Sequence, residues 1–142
     1  MENKVYAVID TNVIVSALIS TKKDSYPLMV LSHVYLGSIV PVYNNEIIAE
    51  YRAVLYRDKF HLKYEDIELA INTITETGLN IARTPVPGEK FPDPNDVVFY
   101  EVKMSKDDSY LVTGNIRHFP KEPSVVTPKE MVELLNKKLS LL

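Results

Sequence analysis

Lys4-Val-Tyr-Ala-Val-Ile9, followed at once by Asp10-Thr11-Asn12, decides the fold. The run is β-prone, apolar at nearly every position, and it stops at an acid. A strand covered on one face alternates apolar and polar residues, whereas a strand covered on both faces reads as one apolar stretch. This segment therefore predicts a strand held between two layers. An acid directly behind such a strand has little structural need to be there.

Outward from that strand, Asn12–Ile19 predicts a helix, although Val13, Ile14 and Val15 weaken its propensity. Ser25 with Pro27 just behind it starts a second helix. Leu28, Leu31, Val34 and Tyr35 keep its period and Gly37 is its stop. Ser38–Tyr43 is a second apolar strand. Asn44 or Asn45 caps a helix whose stripe is Ile47, Ile48, Tyr51, Val54 and Leu55. Tyr64–Thr77 is a helix that buries Ile67, Ala70, Ile71 and Ile74, with Gly78 at its C-terminal cap.

Leu79–Ala82 is a short strand, and Thr84–Asn95, with Pro85, Pro87, Gly88, Pro92 and Pro94, is a loop. A helix over Asn95–Met104, a strand over Ser109–Thr113 and a strand over Ser124–Val126 follow. Thr127-Pro128-Lys129-Glu130 then combines a capping box with a proline in the first helical turn. Alternating strands and helices with apolar strands predict an α/β fold: a three-layer α/β/α sandwich around a mostly parallel sheet. A length of 142 residues, 46% of them hydrophobic and 25% charged, predicts a single domain over residues 1–142.

Composition narrows the function. Sixteen Lys and Arg against 19 Asp and Glu give a net charge of −3, unlike proteins that hold nucleic acid by bulk charge. The absence of cysteine excludes disulfides, cysteine-ligated metals and thiol catalysis. The first ten residues lack a signal-peptide layout. Ser25–Asn45 carries no charged residue and approaches membrane-spanning length, but Pro27, His33, Gly37, Pro41 and the Asn44-Asn45 pair interrupt it. The expectation is a cytoplasmic protein with no membrane segment.

In open α/β sheets, ligands bind beyond the carboxyl ends of the strands. Acids and amides cluster in the sequence at such points. Asp10-Thr11-Asn12 follows the first strand. Glu46 and Glu50, four residues apart, share one face of the third helix. Asp93 and Asp96 open the helix after the proline loop, and Thr113-Gly114-Asn115 ends the fourth strand. Each also has an ordinary reading: Asp10 and Asp93 as caps, Glu50 as a solvated charge, Asp96 as a first-turn acid. Together they would repel and lose solvent, a situation that hard divalent cations relieve. His33, His61 and His118 show no ligand spacing, and His33 reads as a packing residue. The donor set is of magnesium type.

The order strand-Asp10-Thr11-Asn12-Val13, Glu50 within Glu46–Leu55, Asp93-Pro-Asn-Asp96 before a helix, and Leu111-Val-Thr113-Gly-Asn115 resembles the PIN-domain nucleases. The nearest group is the PIN-family toxin components of toxin–antitoxin systems. The resemblance spans about Val5 to Leu135. It implies cleavage of single-stranded RNA dependent on Mg²⁺ or Mn²⁺, with Asp10, Glu50 and Asp96 as metal ligands and catalytic residues. The family's fourth position, often Asp, falls on Asn115, where an amide replaces a charge and can still ligate or orient water. Thr11, Asn12 and Thr113 become supporting hydrogen-bonders.

Lys22, Lys23, Arg52, Arg57, Lys59, Lys63, Arg117, His118 and Lys121 are candidate contacts to the RNA backbone, Arg117 and His118 foremost. A cognate antitoxin would cover the acidic pocket, and exposed tyrosines with the segment Val30–Leu36 would support a homodimer. The competing reading is a PIN domain that binds RNA or protein without cutting. An aspartate-nucleophile phosphatase needs a second Asp where Asn12 stands. A phosphate-cradling loop needs clustered glycines, whereas Gly37, Gly78, Gly88 and Gly114 are isolated.

Overall fold

The computed structural model describes residues 4–139. In chain order the elements are β1 (Val5–Ile9), α1 (Thr11–Ile19), α2 (Tyr26–Leu36), β2 (Ile39–Tyr43), α3 (Asn45–Leu55), α4 (Tyr64–Thr77), β3 (Leu79–Asn80), α5 (Val97–Met104), β4 (Ser109–Val112), β5 (Val125–Val126) and α6 (Pro128–Leu139). Short 3₁₀ turns lie at Asp58–Phe60, Pro94–Asp96 and Ile116–His118.

The five strands form one parallel sheet in the order β3-β2-β1-β4-β5. From β1 the chain builds outward through β2 to β3, then crosses back to place β4 on the other side of β1. The switch point is thus the seam between β1 and β4, and Ile9 pairs with Val112 at its carboxyl end. In β1 only Tyr6 escapes full burial, so both faces are covered, as the unbroken apolar run predicts. Helices α1, α2 and α6 pack on one another, α3 packs on α5, and α4 lies along β2 in contact with α2 and α3. The architecture is the expected three-layer α/β/α sandwich.

Local signals act as their chemistry predicts. The Ser25 hydroxyl accepts from Leu28 N–H at 3.3 Å and Asn44 Oδ1 from Ile47 N–H at 2.9 Å, each capping its helix. Thr127 and Glu130 exchange two bonds at 2.9 and 3.1 Å, a complete capping box. On α4 the buried residues are Ile67, Ala70, Ile71 and Ile74; each isoleucine contributes about 1.5–3 kcal/mol by leaving water.

Some expectations need correction. On α2, Leu31 and Val34 are buried as expected, but Tyr35 is exposed and Val30 is buried with them, because the inward stripe faces α1 and α6 as well as the sheet. That leaves Ser32, Tyr35 and Leu36 of the segment Val30–Leu36 at the surface. Strand β3 stops at Asn80, two residues short of Ala82. Gly78 does cap α4, but in extended conformation. A Cβ there would lie 2.4 Å from the carbonyl oxygens of both Ile74 and Pro41, so glycine is required by close approach to β2. Gly37 is the left-handed cap, at φ 87°.

Candidate active site

Two acids stand at helix starts without capping them. Asp10 occupies the position before α1 and Asp96 the position before α5, and neither side chain makes a cap bond. Asp10 is 5% exposed. Its Oδ2 accepts from the Asn12 amide at 3.0 Å and from the Thr113 hydroxyl at 2.8 Å. The Asn12 carbonyl in turn accepts Gly114 N–H at 3.0 Å, and Thr113 Oγ1 accepts Asn115 N–H at 2.9 Å. The loops after β1 and β4 are therefore laced together across the seam, and the lacing fixes the Asp10 carboxylate.

Asp96 Oδ2 is buried and has no hydrogen-bond partner. His118 Nδ1 lies 3.3 Å from it, close enough for an ion pair when protonated but not aligned as a hydrogen bond. A buried acceptor without a donor costs roughly 1–3 kcal/mol, and most such groups in folded proteins are satisfied. Glu50, half-buried on α3, makes no hydrogen bond or ion pair among the described residues.

The neighbouring acids behave differently. Asp93 Oδ1 accepts Asn95 N–H at 2.9 Å, an ordinary cap. Glu46 does not join Glu50; it pairs with Arg83 at 2.7 Å. Arg83 also binds the buried Glu101 at 2.6 Å, and Glu101 holds Val86 N–H at 2.9 Å, so this cluster clamps the proline loop onto α5. Sequence reading missed the clamp, because nothing local to Arg83 points to residues on two distant helices.

Electrostatics separate the same groups. Burial pushes the Asp10 carboxyl above its ordinary pKa, against the hydrogen bonds from Thr113 and Asn12. Glu50 is raised by burial, with Asp93 and Asp10 adding to the effect and Arg57 opposing it. Asp96 is pushed up to about 6 by burial and then by Asp10 and Asp93, with His118 opposing. Glu50 and Asp96 thus each sense Asp10 and Asp93 across the carboxyl edge. Among the described residues, however, no three His, Asp or Glu side chains are gathered tightly enough to hold an ion as they stand. The donor chemistry nonetheless fits a hard dication: three carboxylates, each raised in pKa, one with an orphaned oxygen.

Other candidates fall into place around this edge. Tyr51, next to Glu50 in sequence, is fully buried and donates to the carbonyl of Ile9 at 2.6 Å, while its ring meets Phe99 of α5 at 6.3 Å. It ties α3, α5 and the end of β1 together beside the acids. Asn115 is exposed, and its side chain bonds none of the three carboxylates. The Thr11 hydroxyl is buried without a partner. Arg52 is engaged by Glu68 at 2.7 Å, and Lys59 lies over the Phe60 ring, so neither stands free for a phosphate. A sizeable cavity lies instead at the opposite, amino edge of the sheet.

The topology and the carboxylates at the β1–β4 seam define a Rossmann-like α/β/α domain with its ligand edge at the switch point. Within that class the assignment is specific. A family model described as PIN domain matches residues 6–117, a stretch that contains Asp10, Glu50, Asp96 and Asn115. The chain belongs to the PIN-domain family. PIN domains are generally nucleases, which supports a hydrolase, and they typically use divalent metals. No curated protein and no solved structure matches the chain.

Proposed function

We propose that this protein is an endoribonuclease that hydrolyses phosphodiester bonds of single-stranded RNA with Mg²⁺ or Mn²⁺, in the manner of a PIN-family toxin. The carrying observation is the contrast among its acids: Asp93 is engaged in a cap and Glu46 in an ion pair with Arg83, whereas Asp96 Oδ2 is buried without a hydrogen bond, with only the His118 ring beside it, and Glu50 makes no hydrogen bond or ion pair among the described residues. Evolved structure leaves a buried carboxylate oxygen unpartnered at a cost, and a ligand offsets that cost.

Asp10, Glu50 and Asp96 are the residues that would hold the ion. A bound dication supplies Lewis acidity, lowering the pKa of water and offsetting charge at the phosphate. The chain's own residues do the rest. Thr113 and Asn12 keep Asp10 aimed, and their bonds favour its charged form. Tyr51 keeps α3 registered against β1, which sets the reach of Glu50. His118, beside Asp96, and Arg117, exposed in the same turn, are placed to meet the RNA backbone. Asn115 leaves this edge one charge poorer than a four-acid site.

The test is cleavage of single-stranded RNA by wild type and Asp10→Asn, with Mn²⁺ and with chelator. Cutting that needs metal and is lost in the variant supports the nuclease. RNA or protein binding without cutting, unaltered by Asp10→Asn, supports the competing reading, which the exposed Asn115 and the ungathered acids favour. The toxin role is tested separately by induced expression: growth arrest that a co-expressed partner relieves.

A further inference from the structure

A cavity of about 690 Å³ opens at the amino ends of β1, β4 and β5, between the end of α5 and the end of α6. Lys4, Tyr6, Lys103, Lys106, Tyr110 and Lys138 line it, and Asp108 is its one acid among the described residues. Four lysines from three separate stretches of chain thus converge on one groove of a chain whose net charge is −3. We propose that this groove is a second, non-catalytic anchoring site for the sugar–phosphate backbone of single-stranded nucleic acid. The identity of the polyanion rests on the nuclease reading; the existence of the site does not.

Helix ends account for two of these side chains, but not for their convergence with the others on one groove. Lys103 and Lys138 lie in the last turns of α5 and α6, where a cation favours the helix dipole. Lys106 lies outside any helix. Its ammonium donates to the Asp107 carbonyl at 3.0 Å and sits 4.3 Å from the centre of the Tyr6 ring, which holds it at the groove wall. Lys103, Lys106 and Lys138 form no ion pair with a carboxylate among the described residues, although Asp108 lines the same cavity. Cations around a concave surface focus field and concentrate polyanions. Tyr110 adds an aromatic wall on which a base can stack, the combination that single-strand binders use.

The distance gives the site its use. A five-residue strand separates the two edges by roughly 16 Å, at about 3.3 Å per residue. A strand held at the amino edge and running around the domain reaches the carboxyl edge as a tethered substrate, with a raised effective concentration. A strand too short to span both edges gains nothing from the groove.

The experiment is fluorescence anisotropy of a labelled single-stranded oligoribonucleotide with the full chain in chelator, so that nothing is cut. The variant is the triple change Lys103→Gln, Lys106→Gln and Lys138→Gln, which keeps most of each side-chain stem; unchanged thermal melting checks the fold. The expected result is at least a tenfold loss of affinity, with a salt dependence of log K shallower by about 2, at roughly 0.7 per lost phosphate contact. Wild-type binding by the triple variant overturns the proposal, as does equal competition by poly-glutamate, which points to an acidic protein partner instead. Full competition by pyrophosphate at the concentration of RNA phosphate also overturns it, because a site for a small free anion needs no strand. A chain that binds RNA through these lysines but never cuts it refutes the nuclease and leaves the groove standing.

Discussion

The two ends of the sheet differ in charge and in how firmly their charges are held. At the carboxyl end, Asp10 is fixed by Asn12 and Thr113, and Asp96 is buried with an unpartnered oxygen. At the amino end, half-buried and exposed lysines surround an open groove, with Lys106 against the Tyr6 ring. Fixed, desolvated, mutually repelling groups suit chemistry, where position matters most. Cations on a concave surface suit retention, where sign matters more than geometry. The same sheet can therefore carry two kinds of recognition without either disturbing the other, since the apolar core of β1 and β4 lies between them.

The comparison breaks most readily at the carboxyl end. Asp10→Asn is expected to lower metal-dependent cleavage by on the order of a thousandfold, equivalent to about 4 kcal/mol of barrier, with RNA affinity unchanged; kinetics and anisotropy on one preparation check both halves. Thr113→Val removes the donor to Asp10 and the acceptor for Asn115 N–H. It should weaken the activating effect of Mn²⁺ by about 10–100-fold, the usual cost of losing a ligand's supporting bond, read as a shift in the metal titration of rate. Gly78→Ala probes the core between the ends. The clash with the Ile74 and Pro41 carbonyls should cost about 1–3 kcal/mol in urea unfolding, with no change in metal or salt dependence at either edge.

The smallest expected effect has the most informative sign. Asp96 titrates near 6 in the folded chain against an ordinary 3.8. Between those values the folded state binds more protons than the unfolded one. The stabilising contribution is therefore full below pH 3.8 and is lost as pH rises through about 6. Asp96→Asn should flatten that dependence and raise the stability of the metal-free chain near neutrality by on the order of 1 kcal/mol, discounted for residual solvent contact. Added Mg²⁺ should stabilise wild type and leave the variant nearly unmoved. Melting curves across pH, with and without the ion, decide it.

The fold was largely legible because its signals are local. The apolar run of β1, the Ser25 and Asn44 caps, the α4 stripe and the Thr127–Glu130 box each depend on residues within a few positions of one another. Proximity across the sheet was not legible in the same way. Glu46 and Glu50 share a helix face by spacing, yet Arg83 draws Glu46 away, and no periodicity in the sequence announces an arginine 37 residues on. The contact of His118 with Asp96 was hidden for the same reason. The order of the acids was informative only because a family resemblance supplied the topology that their spacing alone leaves open. The lysine groove went unread because its members come from three stretches of chain, two of them at helix ends where a cation is unremarkable.

The amide of Asn12 spans the seam, giving its nitrogen to Asp10 and taking the Gly114 N–H on its oxygen. A Cβ on Gly114 would come within 3.3 Å of that oxygen, so the clasp is tight. The crevice that dinucleotide binders open between these two strands is stitched shut here. A ligand must rest on top of the stitch, as on a shallow dish, and cannot slide in edgewise. A dish does not measure the outline of what lies on it, so discrimination among polymers must come from what they touch elsewhere on the surface.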